Sequence, residues 1–438
     1  GISMDTTIFT EHESNVRSYS RSFPTVFDKA KGAVLISATG ERYIDFFSGA
    51  GALNYGHNND TIKSAVIEYL EDDGIAHGLD MYTAAKRAFL ETFVTRILQP
   101  RGLDYKVQFC GPTGTNAVEA ALKLARKVKQ RPGIFSFMGG YHGMSLGSLA
   151  ATGDRASRAG AGIPLTNVTF MPFPHGFMAS FDTIQFMDTI LSDPYSGIEK
   201  PAAIIVETVQ AEGGVVVAPV AWLRRLRNLC DEHDILLICD DIQVGCGRTG
   251  PFFSFERAGI TPDLVILSKS IGGYGFPMSL LLMRPQLDLW KPGEHSGTFR
   301  GNQIAFVAAG AAANYFVDHH LEECTRANES FLQHFLTGEI AVLDRRITVR
   351  GIGMIWGIDL SGIDDGDFAQ RVVSRCFDDG LVIERVGRDG TVIKLLPPLT
   401  IEANLLEQGC AIVKQAIQQC LSEGSIPDAV PLRVGTTR

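Results

Sequence analysis

The chain has 438 residues, with 40 Lys and Arg against 49 Asp and Glu, a formal net charge of −9. That balance lacks the basic footprint of a nucleic-acid binder and argues against an anionic membrane surface as partner. A hydrophobic content of 45 % against 20 % charged predicts a globular chain, long enough for one large core or two domains.

Near the N-terminus, Val34-Leu35-Ile36 and Arg42-Tyr43-Ile44-Asp45 flank Thr39-Gly40 and predict a small antiparallel element. From Thr61 to Asp318, strands and helices alternate. The predicted strands are Val107–Cys110, Gly133–Met138, Val168–Met171, Ala203–Glu207, Leu236–Cys239 and Leu264–Leu267. The predicted helices include Ala117–Val128, Val220–His233 and Ile304–Phe316. Such alternation implies an α/β fold with a mostly parallel, doubly wound sheet and right-handed crossovers. Beyond Asn328 come a helical segment, strands at Ile347–Arg350, Met354–Leu360, Leu381–Glu384 and Val392–Leu395, and a helix over Leu405–Leu421. These predict a smaller α+β domain. The division is an N-terminal segment (4–60) joining the small domain, a large domain (61–328) and a C-terminal small domain (329–438).

The cysteines are scattered, with no CxxC pair, which predicts the reduced thiols of a cytoplasmic protein rather than disulfides or a metal site. No signal peptide and no bilayer-spanning run is read, and Gly1-Ile2-Ser3 ahead of Met4 reads as an expression scar.

Lys269 closely follows the buried run Leu264-Val265-Ile266-Leu267, and Asp240 ends Ile235-Leu236-Leu237-Ile238-Cys239. Glu207 ends Ala203-Ile204-Ile205-Val206 in the same way. Ligands of such sheets bind beyond the carboxyl ends of the strands, so the three charged groups are aimed at one crevice. A lysine able to form a Schiff base and an aspartate able to hold a pyridinium nitrogen are what pyridoxal phosphate (PLP) requires of a protein. A displaced lysine can then move a proton as base and acid. Gly111-Pro112-Thr113-Gly114-Thr115-Asn116 opens a helix and offers N–H groups to a phosphate, although alone it reads equally as an ordinary helix cap. Tyr141, beside His142, could stack on a planar ring. In isolation it reads more readily as a packed loop aromatic.

Together these residues resemble the class III PLP-dependent aminotransferases, of PLP fold type I, over nearly the whole chain. The most specific stretch is Asp240-Asp241-Ile242-Gln243-Val244-Gly245-Cys246-Gly247-Arg248-Thr249-Gly250, followed by Ser268-Lys269. The resemblance implies that Lys269 carries the cofactor, Asp240 binds the pyridine nitrogen and Gln243 contacts the ring hydroxyl. It further implies that Tyr141 stacks on the ring and that Gly114 and Thr115 hold the phosphate. Gly297-Thr298-Phe299-Arg300-Gly301-Asn302 resembles the segment whose threonine reaches the neighbouring subunit's phosphate, so Thr298 implies at least a homodimer, with tetramers left open. Glu207 is counted with the cofactor-binding residues. No metal is implied.

The chain departs from the family pattern at Met144 and Lys394, where some members carry carboxylate-gripping arginines, and Arg and Lys are not interchangeable there. The resemblance pairs Glu212 with Lys394, and Lys394 could serve either Glu212 or the substrate. Within the class, the segments 16–24, 239–247 and 291–302 are most similar to the diaminobutyrate–2-oxoglutarate transaminases of ectoine biosynthesis. The partners implied are a small-molecule amino donor and a keto-acid acceptor. Ornithine, 4-aminobutyrate or another ω-amine is the alternative donor, a PLP mutase or decarboxylase the alternative reaction, and a non-catalytic PLP-fold protein the non-enzyme reading.

Overall fold

Seven strands make the central sheet in the computed structural model, which describes residues 5–175, 178–363 and 365–425. They are β1 (Lys106–Phe109), β2 (Ile134–Phe137), β3 (Val168–Met171), β4 (Ala203–Val206), β5 (Leu236–Asp240), β6 (Leu264–Leu267) and β7 (Leu280–Met283). Their spatial order is β1-β7-β6-β5-β4-β2-β3. Pairing is parallel from β6 through β3, while β7 runs antiparallel to both β6 and β1. The sheet predicted from sequence lacks β7. Its four residues, Leu280-Leu281-Leu282-Met283, are a buried apolar run like β6, but no α-helix separates the two, so β7 falls outside the strand–helix alternation.

Helices cover both faces. Alternate strand residues point to opposite sides. Leu264, Ile266 and Leu281 pack with Ala117, Ala121 and Leu124 of helix α1 (Gly114–Lys129). Val265, Leu267, Leu280 and Leu282 pack with Ala305, Phe306 and Ala309 of α2 (Gln303–Asp318).

Two further sheets lie outside this layer. Phe27–Lys31, Val34–Ser37 and Arg42–Asp45 pair antiparallel, and Arg42–Asp45 also pairs in parallel with Leu381–Val382. N-terminal and C-terminal residues thus share one sheet. The second sheet runs Thr348–Ile352, Ile355–Asp359, Val392–Leu395, Glu384–Val386. The predicted strand Leu381–Glu384 is therefore two strands in two sheets, with Ile383 between them. The chain turns there because each half finds a different partner. Helices α3 (Phe368–Asp378) and α4 (Ala403–Ser425) pack on each other beside these sheets.

Among the described residues no helix is long and apolar enough to cross a membrane. All eight cysteines are unpaired, and Cys324 alone is exposed. Residues 1–4 and 426–438, which include the lead-in Gly1-Ile2-Ser3 and the ends of the domain assignments, lie outside the described residues.

Candidate active site

The carboxyl ends of the adjacent strands β4, β5 and β6 carry Glu207, Asp240 and Lys269 to one side of the sheet. A cavity of about 420 Å³ lies there, with all three residues in its wall. Gly114, Thr115, Tyr141, Glu212 and Gln243 complete the set read from the sequence, and Tyr19, Met144 and Ile242 join them.

Lys269 sits in a turn directly after β6 with φ +54°, a left-handed conformation that a non-glycine residue adopts at a cost. Its Nζ donates to the Ala50 carbonyl at 2.7 Å. Ala50 is itself left-handed, in the buried loop Ser48–Gly51. Burial pushes the Lys269 ammonium below the ordinary lysine range. The Glu212 carboxylate opposes the shift and Lys394 reinforces it. A lysine biased towards the neutral amine is one prepared for nucleophilic work.

Asp240 is buried, and its Oδ2 accepts from His142 Nδ1 at 2.7 Å. Its Oδ1 accepts from the Ile242 N–H at 3.1 Å. Burial of His142 disfavours its charged form, but the hydrogen bond and charge of Asp240, with Glu207, outweigh burial and hold the imidazole above its usual range. Glu207 accepts from the Tyr141 N–H at 2.9 Å, so it fixes the loop that carries the ring. Burial raises the Glu207 carboxyl far above the carboxylate range; the His142 charge opposes this and the Asp240 charge adds to it. Proximity at the strand ends is legible in sequence. The His142–Asp240 bond is not, because it joins groups 98 residues apart with no local spacing signal.

In the same cavity wall, α1 begins at Gly114, with the Thr113 hydroxyl accepting from the Asn116 N–H at 3.4 Å. Gly143 approaches closely: φ is +125°, and a Cβ there would stand 2.5 Å from Thr115 Oγ1. A helix N-terminus flanked by small residues leaves its N–H groups and positive dipole end accessible to an anion.

Lys394 does not line the cavity. It is fully buried behind Glu212 and Gln243, with Nζ 3.4 Å from Glu212 Oε1 and 2.9 Å from Glu384 Oε1. It also donates to Gln243 Oε1, and Gln243 Nε2 donates to Glu212 Oε1 at 3.2 Å. Glu384 was not a candidate in the sequence, since nothing there reveals which residue faces Lys394 across the sheet. Thr298 lies apart from this cavity, on an exposed stretch.

A family model described as aminotransferase class-III matches residues 16–417. The chain belongs to the class III aminotransferases. It is 54 % identical over 421 residues to a diaminobutyrate–2-oxoglutarate transaminase of Streptomyces avermitilis, covering 95 % of this chain and 98 % of that protein. A protein of the same name from Nocardia farcinica is 52 % identical over 440 residues, with both chains fully covered. Among solved structures, a transaminase from a marine Virgibacillus superposes with TM-score 0.84 at 20 % identity, covering 95 % of this chain and 99 % of that one. The ornithine aminotransferase of Toxoplasma gondii gives 0.83 at 24 % identity, covering 95 % and 94 %. The fold is therefore PLP fold type I, and this aminotransferase uses pyridoxal phosphate. The donor set suits that group: the cavity wall carries the Asp240 carboxylate, the Lys269 amine and the turn at Gly114 and Thr115 that opens a helix.

Proposed function

We propose that this aminotransferase moves the 4-amino group of L-2,4-diaminobutyrate to 2-oxoglutarate, giving L-aspartate 4-semialdehyde and L-glutamate, in the cytoplasm and within ectoine biosynthesis. The observation that carries the reading is full-length identity of more than half to transaminases named for that reaction.

Each site residue has a role in this reading. Lys269 Nζ would hold the cofactor through its aldehyde group and would serve as the base and acid that moves the proton at the substrate carbon. Asp240, positioned by His142, keeps the pyridine nitrogen protonated. Gln243 meets the ring hydroxyl and Tyr141 covers the ring, its loop tied down by Glu207. Gly114 and Thr115 hold the phosphate, with Thr298 reaching the phosphate of a second subunit. Glu212 faces the substrate, and Lys394 stands behind it. Bound PLP supplies an electron sink for the carbanion formed at the amine-bearing carbon.

The test is a screen of amine donors with 2-oxoglutarate as acceptor. Diaminobutyrate should give the highest kcat/KM, with the α-amine retained in the product. Ornithine or 4-aminobutyrate outcompeting it would overturn the substrate.

A further inference from the structure

2-Oxoglutarate brings two carboxylates, and a carboxylate taken out of water must be paired or hydrogen-bonded. The cofactor cavity offers little for that purpose. Among the described residues that line it, Lys269 is the single lysine or arginine, and it is committed to the cofactor. Glu207, Glu212 and Asp240 stand in the same wall, and Met144 brings no charge. Lys394 is fully buried and already paired with Glu212 and Glu384.

A larger cavity of about 1060 Å³ adjoins this one, and Tyr141 and Glu212 line both. Its wall carries Arg155, Arg158, Arg385 and Arg388. Arg158 is occupied by the carbonyls of Leu149, Ala150 and Thr152. The other three are exposed and have no hydrogen-bond or ion-pair partner for their guanidinium groups among the described residues. The carboxylates of this wall do not pair with them. Asp154 caps the helix Arg155–Ala159 by accepting from the Ser157 N–H at 3.1 Å, and Glu212 is held by Lys394 and Gln243. Asp389 forms no ion pair among the described residues.

Arg388 is the one directed at the cofactor side. It opens the turn Arg388–Gly390, directly after Gly387, whose N–H donates to the Glu212 carbonyl at 2.9 Å. Its Nη2 lies 3.5 Å from where a Cβ on Gly139 would stand, in the loop that carries Tyr141. Arg385 folds back instead, with Nη1 2.7 Å from the Cβ position of Gly390.

We propose that Arg388 binds the far carboxylate of each substrate where the two cavities meet. The inference rests on the reaction proposed above and deepens it. In 2,4-diaminobutyrate two carbons separate the reacting C4 from the carboxylate. In 2-oxoglutarate two carbons separate the reacting C2 from the far carboxylate. One guanidinium at one distance from the cofactor therefore serves donor and acceptor in turn, and its planar fork suits a carboxylate as a lysine does not.

The test uses holoenzyme, with glutarate as a probe that keeps both carboxylates and lacks the keto group. Arg388→Met should raise KM for 2-oxoglutarate and the inhibition constant of glutarate in parallel, each by about tenfold or more, with a smaller change in kcat. KM for diaminobutyrate should rise with them. Arg388→Lys, which keeps the charge without the fork, should recover part of the loss. Arg388 has no partner in the fold, so its removal should leave Tm near that of wild type. Unchanged glutarate inhibition in Arg388→Met overturns the proposal. So does a loss confined to kcat, or the same loss in Arg385→Met with none in Arg388→Met. Wild-type enzyme that does not accept 2-oxoglutarate would instead sink the reaction reading itself.

Discussion

At Lys269, backbone strain and burial act on one side chain. The left-handed backbone aims the amine into the cavity wall, and burial weakens its hold on a proton. Lys269→Ala should lower kcat by about 10³-fold or more while leaving some cofactor affinity through phosphate and ring contacts. Near-wild-type turnover in that variant would move the role to another lysine. The buried acids nearby predict an unusual pH dependence of stability. Burial raises the carboxyl of Glu207 and takes that of Asp241 to about 7, and His142 also titrates above its ordinary range. In each case the folded state keeps a proton that the unfolded chain has already released. Stability from these groups is thus fully present below their unfolded pKa values and is lost as pH rises through the folded ones. Each such proton contributes a slope of about 1.4 kcal/mol per pH unit. Thermal melts at fixed ionic strength should show Tm falling as pH rises from 6 towards 9 on account of these protons, and Glu207→Gln should flatten that fall. An identical slope in the variant would show that Glu207 does not hold such a proton.

Among the elements, the turn that opens α1 depends on its neighbour at Gly143. Gly143→Ala places a methyl group against Thr115 at a φ that only glycine adopts without strain. We expect cofactor affinity to fall by about tenfold, with secondary structure intact by circular dichroism. Unchanged affinity would mean that the Thr115 turn does not bear on the phosphate. Legibility in the sequence followed the range of the interaction. Strands β4 to β6 stand out because each is a run of apolar residues, and Asp240 and Lys269 stand out because a charge follows such a run. Strand β7 is an equally apolar run, but it follows β6 with no α-helix between them and joins the sheet antiparallel, outside the strand–helix alternation. Glu384 depends on register between strands, which no local pattern encodes. His142 was visible as a neighbour of Tyr141 but not as the partner of Asp240.

For the molecule as a whole, the surroundings of Thr298 bear on assembly. Leu79, Met81, Tyr82 and Phe299 are exposed apolar side chains. His77 bridges to Asn302, and Arg300 pairs with Asp80, so the two segments lie side by side. Apolar groups gathered on one surface are usually covered by a partner. Sedimentation should give a dimer or a larger even assembly, and Thr298→Ala should weaken cofactor binding without dissociating it. A fully active monomer would remove the shared-site reading. The order of strands also imposes an order in time. Within the central sheet β1 touches only β7, so Lys106–Phe109 stays unpaired until residue 283 has left the ribosome. The Arg42–Asp45 strand waits longer still for Leu381–Val382. The turn that follows β1 and opens α1 therefore reaches its final place only after Lys269 has been made, and a nascent chain has no finished pocket in which to trap the cofactor early.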